Sequence, residues 1–183
     1  MIKSKIRKKI LNIRKKKNKK NIKFSFLKIF KEIKKNISKE KIIGGYYPVN
    51  FEIDILEFLN KLKAKGLQIS LPVIKKKNEM DFYSWSTKNP LKLNKYGIPE
   101  PEQIKKVFPD IIFVPLVAFD KRLYRIGYGG GYYDRYIEKN LSNKNFLTIG
   151  LGFSFQKYSE IPRENHDQKL NWILTEKYLY NVE

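Results

Sequence analysis

The chain has 183 residues, enough for one domain with a proper core and too few for two large ones. It contains no cysteine, which excludes disulfides and thiolate metal sites and fits a reducing, cytoplasmic setting. The net charge of +21 is unevenly spread: residues 1–41 carry 18 Lys/Arg against two acids, and the rest carry 21 against 16.

The basic excess is therefore an N-terminal property, and a nucleic-acid-binding arm over 1–41 is one reading of it. Abundant Lys, Ile and Asn also fit A/T-rich codons, so charge alone decides nothing. No apolar run approaches the roughly 18 residues of a membrane span, and no apolar stretch follows the basic start as in a signal peptide.

Ile2, Ile6, Ile10 and Ile13 recur at helical spacing and predict a basic amphipathic helix over 2–14. "RKKKNKKN" (14–21) breaks that pattern and reads as a solvated loop or frayed end. Phe26, Phe30, Ile33 and Ile37 make a second helical stripe. "KIIGGYYPV" (41–49) reads as a buried strand ended by Pro48. Asp54 offers an N-cap with Glu57 as its capping-box partner, and Gly66 a C-terminal stop, so a helix is expected over 54–65.

"LQISLPVI" (67–74) and "MDFYSW" (80–85) read as strands, and "NKYGIPEPEQI" (94–104) as a surface loop. "DIIFVPLVAF" (110–119) is a buried strand, followed by a glycine loop and a helix near 131–140. "FLTIGLGFS" (146–154) and "NWILTEKY" (171–178) complete the set. The alternation predicts an α/β fold. It would have three layers, a mainly parallel sheet with helices on both faces, and the basic N-terminal helix packed on a single domain spanning 1–183.

The chemistry concentrates in "RIGYGGGYYDRYIEKN" (125–140). Four of the chain's ten glycines, Gly127, Gly129, Gly130 and Gly131, stand between a strand and a helix start. Glycine lets a ligand approach the backbone, and helix N-terminal amides attract anions, so the combination reads as a phosphate site. A plain glycine-rich turn is the alternative. Arg125 and Arg135 flank the loop, and Asp134 in the first helical turn can hold Mg2+. Tyr132 and Tyr133 stand where a P-loop needs Lys-Ser/Thr, and Tyr132 where the dinucleotide fingerprint needs glycine.

"VPLVAFDKRLYRIGYGGGYYDRYI" (114–137) resembles the 5-formyltetrahydrofolate cyclo-ligase family, with Ile126 for the usual leucine. Lys3 and Arg7 reproduce the family's Lys-x-x-x-Arg opening. "YYPVNFEID" (46–54) is similar to its folate-contacting segment, and "HDQKLNWILTE" (166–176) to its ending, with Asn171 where aspartate is common. The resemblance implies an enzyme that converts 5-formyltetrahydrofolate to 5,10-methenyltetrahydrofolate, using ATP and Mg2+ and releasing ADP and phosphate. The formyl oxygen would attack the γ-phosphate, and nitrogen-10 would then close the ring.

It also implies roles. ATP would be held by Lys3, Arg7, Arg125, Gly127, Tyr128, Gly129, Gly130, Gly131, Tyr132 and Tyr133. The substrate would meet Tyr47, Glu52 and Tyr132, with Phe82, Tyr83 and Trp85 as candidate walls. Asp134 and Asp167 would bind the metal, and Arg125 and Tyr133 are the catalytic candidates. His166 receives no role. A monomeric cytoplasmic enzyme acting on a small folate, with or without a polyglutamate tail, is expected, without membrane or nucleic-acid partners. The other readings are the basic nucleic-acid-binding protein and a family member that binds without turnover.

Overall fold

The computed structural model describes residues 2–17, 22, 24–27, 29–31, 41–143 and 146–181. Eight strands form the main sheet: β1 (Ile42–Gly44), β2 (Gln68–Ile74), β3 (Met80–Ser84), β6 (Lys106–Val107), β7 (Ile111–Pro115), β10 (Leu147–Leu151), β11 (Trp172–Leu174) and β12 (Leu179–Asn181). Their order is β12-β11-β10-β7-β1-β2-β3-β6. The stretch from β11 through β10, β7 and β1 to β2 is parallel, while β12, β3 and β6 add antiparallel edges.

A parallel strand is covered on both faces, so its sequence is apolar without alternation. The β7 residues show this. Ile111 and Phe113 pack with Phe58, Leu59 and Leu62 of helix α2 (Leu56–Ala64). Ile112 and Val114 pack with Tyr136 and Ile137 of helix α3 (Tyr132–Asn140) on the other side. The expected three layers are thus present.

Several boundaries differ from expectation. Helix α2 begins at Leu56, and the Asp54 carboxylate accepts the Leu56 N–H at 2.9 Å. Glu57 pairs with Lys61 at 2.6 Å instead of closing a capping box. β1 stops at Gly44, because Tyr46 turns into the core and donates its hydroxyl to the Ile53 carbonyl at 2.8 Å. The expected surface loop over 94–104 contains half of a hairpin, β4 (Leu91–Leu93) against β5 (Pro99–Pro101). Asn94 holds its turn by accepting the N–H groups of Tyr96 and Ile98 at 2.8 and 3.1 Å.

The 110–119 strand breaks after Pro115, and β8 (Ala118–Phe119) folds back on β9 (Arg125–Ile126). Buried Asp120 clamps this hairpin, accepting the N–H groups of Arg122, Tyr124 and Ile161. The expected strand over 171–178 is divided between β11 and the antiparallel β12.

Helix α1 spans Ile2–Lys17, three residues beyond the predicted end. Its buried Ile10 packs on Val117, Ala118, Ile126 and Ile161, which seats the helix on the β8–β9 hairpin. Of the second helical stripe, Phe26 stacks on Phe58 with ring centroids 4.4 Å apart. Ile33, Ile37 and residues 18–21 lie outside the described residues. Among the described residues, no helix is long and apolar enough to cross a membrane.

Candidate active site

The glycine loop leaves β9 and enters α3. Gly129 has φ +106° and Gly131, at the N-cap of α3, has φ +65°. Both values favour glycine, because a Cβ clashes with the backbone there. Among the described residues, nothing accepts a hydrogen bond from the amides of residues 128–131. Two arginines instead bond the loop's carbonyls. Arg7 donates from Nε to the Gly127 oxygen at 2.8 Å, and Arg135 donates from Nη2 to the Gly130 oxygen. The Arg7 guanidinium lies 3.4 Å from where a Cβ on Gly129 would sit. A loop with bonded carbonyls, free amides and a helix N-terminus behind it is built for an anion.

Two ion pairs border this loop. Arg125 is only 4% exposed and faces inward. Its Nη2 meets Asp134 Oδ1 at 3.0 Å and its Nη1 donates to the Gln168 carbonyl at 3.0 Å. Asp134 Oδ1 also accepts the Gln168 N–H at 3.0 Å. Lys3 meets Asp167 Oδ2 at 2.6 Å, and the same oxygen accepts the Glu164 N–H at 2.7 Å.

Asp134 and Asp167 are thereby linked through the backbone of Gln168. Each keeps one carboxylate oxygen without a donor among the described residues. Glu164, His166 and Asp167 also place ligand atoms within 4.8 Å of one another. Hard carboxylate oxygens beside a loop built for an anion suit Mg2+. His166 pairs with Glu164 at 3.2 Å.

A cleft of about 1080 Å³ opens between the end of α1, described residues of the 22–30 stretch, α2 and the segments around Phe51 and Phe153. Glu52 lines it. Asn50 and Phe51 carry φ values of 49° and 59°, so two successive non-glycine residues in the left-handed region aim Glu52. Such strain persists only where the surroundings enforce it, and it gathers at functional sites.

Glu52 Oε2 accepts the Val49 N–H at 2.9 Å, and Oε1 is buried with no partner among the described residues. Burial raises its pKa to about 7, against the opposing pull of the Val49 N–H, Arg14 and Tyr128. Burial also raises Tyr128, to about 12, and holds Tyr133 neutral well above its ordinary value, with Glu52 adding to both shifts.

The sequence candidates separate accordingly. Of the three substrate candidates, Glu52 lines the cleft. Tyr47 is half-buried and is not among the lining residues. Tyr132 lies elsewhere, its hydroxyl 3.1 Å from that of Tyr96 and 3.3 Å from Asn78 Oδ1. Phe82, Tyr83 and Trp85 are buried core residues rather than walls. Asn171 braces β10, its Oδ1 accepting both the N–H and the hydroxyl of Thr148 at 2.8 Å.

Sequence reasoning missed Arg14, which is 2% exposed and reaches Tyr128, Leu116 and the cleft. It sits seven residues after Arg7, on the same helical face.

Residues 1–176 match the 5-formyltetrahydrofolate cyclo-ligase family. The chain is 36% identical over 141 residues to the 5-formyltetrahydrofolate cyclo-ligase of Haemophilus influenzae, covering 73% of this chain and 75% of that protein. It is 34% identical over 135 residues to the 5-formyltetrahydrofolate cyclo-ligase of Mycoplasma genitalium, covering 73% and 72%. The NMR structure of Aquifex aeolicus 5,10-methenyltetrahydrofolate synthetase is similar at a TM-score of 0.75 and 32% identity, over 99% of this chain and 93% of that one. On its sequence, its fold and the loop that carries its glycines, the chain belongs to the 5-formyltetrahydrofolate cyclo-ligase family.

Proposed function

We propose that the chain converts 5-formyltetrahydrofolate to 5,10-methenyltetrahydrofolate with ATP and Mg2+, releasing ADP and phosphate. One observation carries the reading beyond family membership. Tyr128 belongs to the free-amide glycine loop, and its hydroxyl takes a hydrogen bond from Arg14, which lines the Glu52 cleft. An anion on the loop and a flat ligand in the cleft would therefore be neighbours.

The chemistry needs that adjacency. An amide oxygen is a poor leaving group, and transfer of the γ-phosphoryl group to the formyl oxygen makes it a good one. Nitrogen-10 then attacks the formyl carbon, the five-membered ring closes, and the C–O bond breaks as phosphate departs with the proton that nitrogen-10 gives up. Phosphoryl transfer depends on charge neutralisation and in-line placement. The loop amides, Lys3 and Arg7 would supply the first. Arg125 and Tyr133 would hold the reacting groups from behind the loop.

Asp134 and Asp167 would hold Mg2+, which would add positive charge at the phosphate oxygens. The orphaned Glu52 Oε1 would accept hydrogen bonds from pterin N–H groups. Lys3, Arg7 and Arg14 all make internal contacts, which supports the enzyme reading over a basic nucleic-acid-binding arm. The test is direct: purified protein, 5-formyltetrahydrofolate, ATP and Mg2+, followed by methenyl absorbance. A folded protein that gives no signal sinks the reading.

A further inference from the structure

Of the residues of α1, only Ile10 and Arg14 are buried. A buried guanidinium is a poor way to stabilise a helix contact, since desolvation costs several kcal/mol unless every donor is used. Arg14 does not use every donor, because its Nε is buried without a partner among the described residues. An apolar side chain would fill the same space at lower cost, so the arginine calls for a reason other than packing.

Its contacts supply one. Nη2 donates to the Leu116 carbonyl at 2.6 Å, just beyond β7. Nη1 donates to the Tyr128 hydroxyl at 3.1 Å and reaches the Asn50 carbonyl at 3.5 Å. Tyr128 is the glycine loop, and Asn50 opens the strained turn that aims Glu52. One side chain on α1 thus ties together the strand end, the anion loop and the turn bearing the orphaned carboxylate. The groups that face Glu52 are Arg14 from α1, Tyr46 after β1, Tyr128 of the loop and Tyr133 of α3. Lys17, Asp54, Glu57, Lys61 and Lys65 border the same cleft.

We propose that Arg14 is a positioning residue for substrate recognition, holding the Tyr128 hydroxyl and the Asn50 turn so that the Glu52 carboxylate meets the ligand in the cleft. It rests on the reading of Glu52 as the acceptor for the pterin. Arg14 is the only guanidinium acting on Glu52, so its removal leaves the carboxylate with less support for its charge.

The experiment measures 5-formyltetrahydrofolate binding by calorimetry on the full chain, without ATP, from about pH 5 to about pH 9 around the Glu52 value of about 7. In the wild type, affinity rises with pH as Glu52 ionises. In Arg14→Met that rise moves upward by about one pH unit, and affinity at neutral pH falls about fivefold. Arg14→Lys, which keeps the charge, recovers most of the shift. Tyr128→Phe moves the rise the same way by less.

A merely structural arginine would weaken binding equally at every pH, so a folded Arg14→Met with the wild-type pH dependence overturns the proposal. If Arg14→Met does not fold, Tyr128→Phe decides, and an unmoved rise there overturns it. The two possible failures differ: wild type that binds no 5-formyltetrahydrofolate overturns the folate reading with everything built on it. Wild type that binds, with an unmoved rise in the variants, overturns only the role of Arg14.

Discussion

The two halves of the site are prepared in opposite ways. On the glycine-loop side, where we propose that ATP binds, the charged side chains satisfy one another: Arg125 with Asp134, Lys3 with Asp167, Arg7 with the Gly127 carbonyl. Arrival of a phosphate and a metal there would be an exchange of partners, with the side chains already paired before the ligand comes. On the cleft side, the proposed folate site, Glu52 keeps a buried oxygen unpaired among the described residues, and its pKa rises to about 7 because burial outweighs the help it receives. That half carries its cost in advance and recovers it on binding. The difference teaches where mutations will trade stability against activity and where they will lose both.

The largest effect is expected where partners are exchanged. Asp134→Ala leaves the Arg125 guanidinium, 4% exposed, without its carboxylate. Stability should fall by about 3 kcal/mol in denaturant melts, and turnover on the order of 100-fold or more. A stable, fully active variant would break the comparison at its first term.

Glu52→Gln should do the reverse on stability. The unfolded carboxyl titrates near 4.5 and the folded one near 7. Between these values the folded chain holds a proton that the unfolded chain has lost, so wild-type stability falls as pH rises through this window and then levels. The variant should lack that slope. At pH 8 it should be more stable than wild type by up to about 3 kcal/mol, with no gain below pH 4, while substrate affinity drops. Melts at the two pH values with a binding titration check both halves of the statement.

Lys3→Met should raise the KM for ATP about tenfold, the loss of one charge-assisted contact. It should cost about 1 kcal/mol of stability, since the Lys3–Asp167 pair is only partly shielded from water. An unchanged KM would mean that the pair is purely structural. Asn171→Asp should be the mildest change. Both side chains can accept from the Thr148 N–H and hydroxyl, so stability should move by no more than about 0.5 kcal/mol and turnover by less than about twofold. A large loss there would extend the functional site beyond the two halves compared.

The sequence discloses these halves unequally. The β7 run is apolar at every position because both faces are covered, and that is visible without a structure. The glycine loop is equally plain, since its composition has few other uses. Arg14 was hidden because periodicity weighs apolar residues, and a buried arginine followed by three lysines looks like any solvated cation. The β4–β5 hairpin was hidden because its strands are three residues long and one begins and ends with proline. The pairing of Lys3 with Asp167 and the orphaned oxygen of Glu52 are products of tertiary approach, and no local pattern encodes them. Resemblance to a family named Glu52, but only the fold shows why that carboxyl is unusual.

The pair between Lys3 and Asp167 spans 164 positions of the chain. During synthesis the lysine leaves the ribosome 164 residues ahead of its partner. At ~5–20 residues per second the interval is on the order of 10 s. Until then Lys3 of α1 has no carboxylate waiting for it, and the ion pairs around the glycine loop cannot be complete. A nascent chain therefore holds Lys3 without its carboxylate partner until the segment around Asp167 has been made.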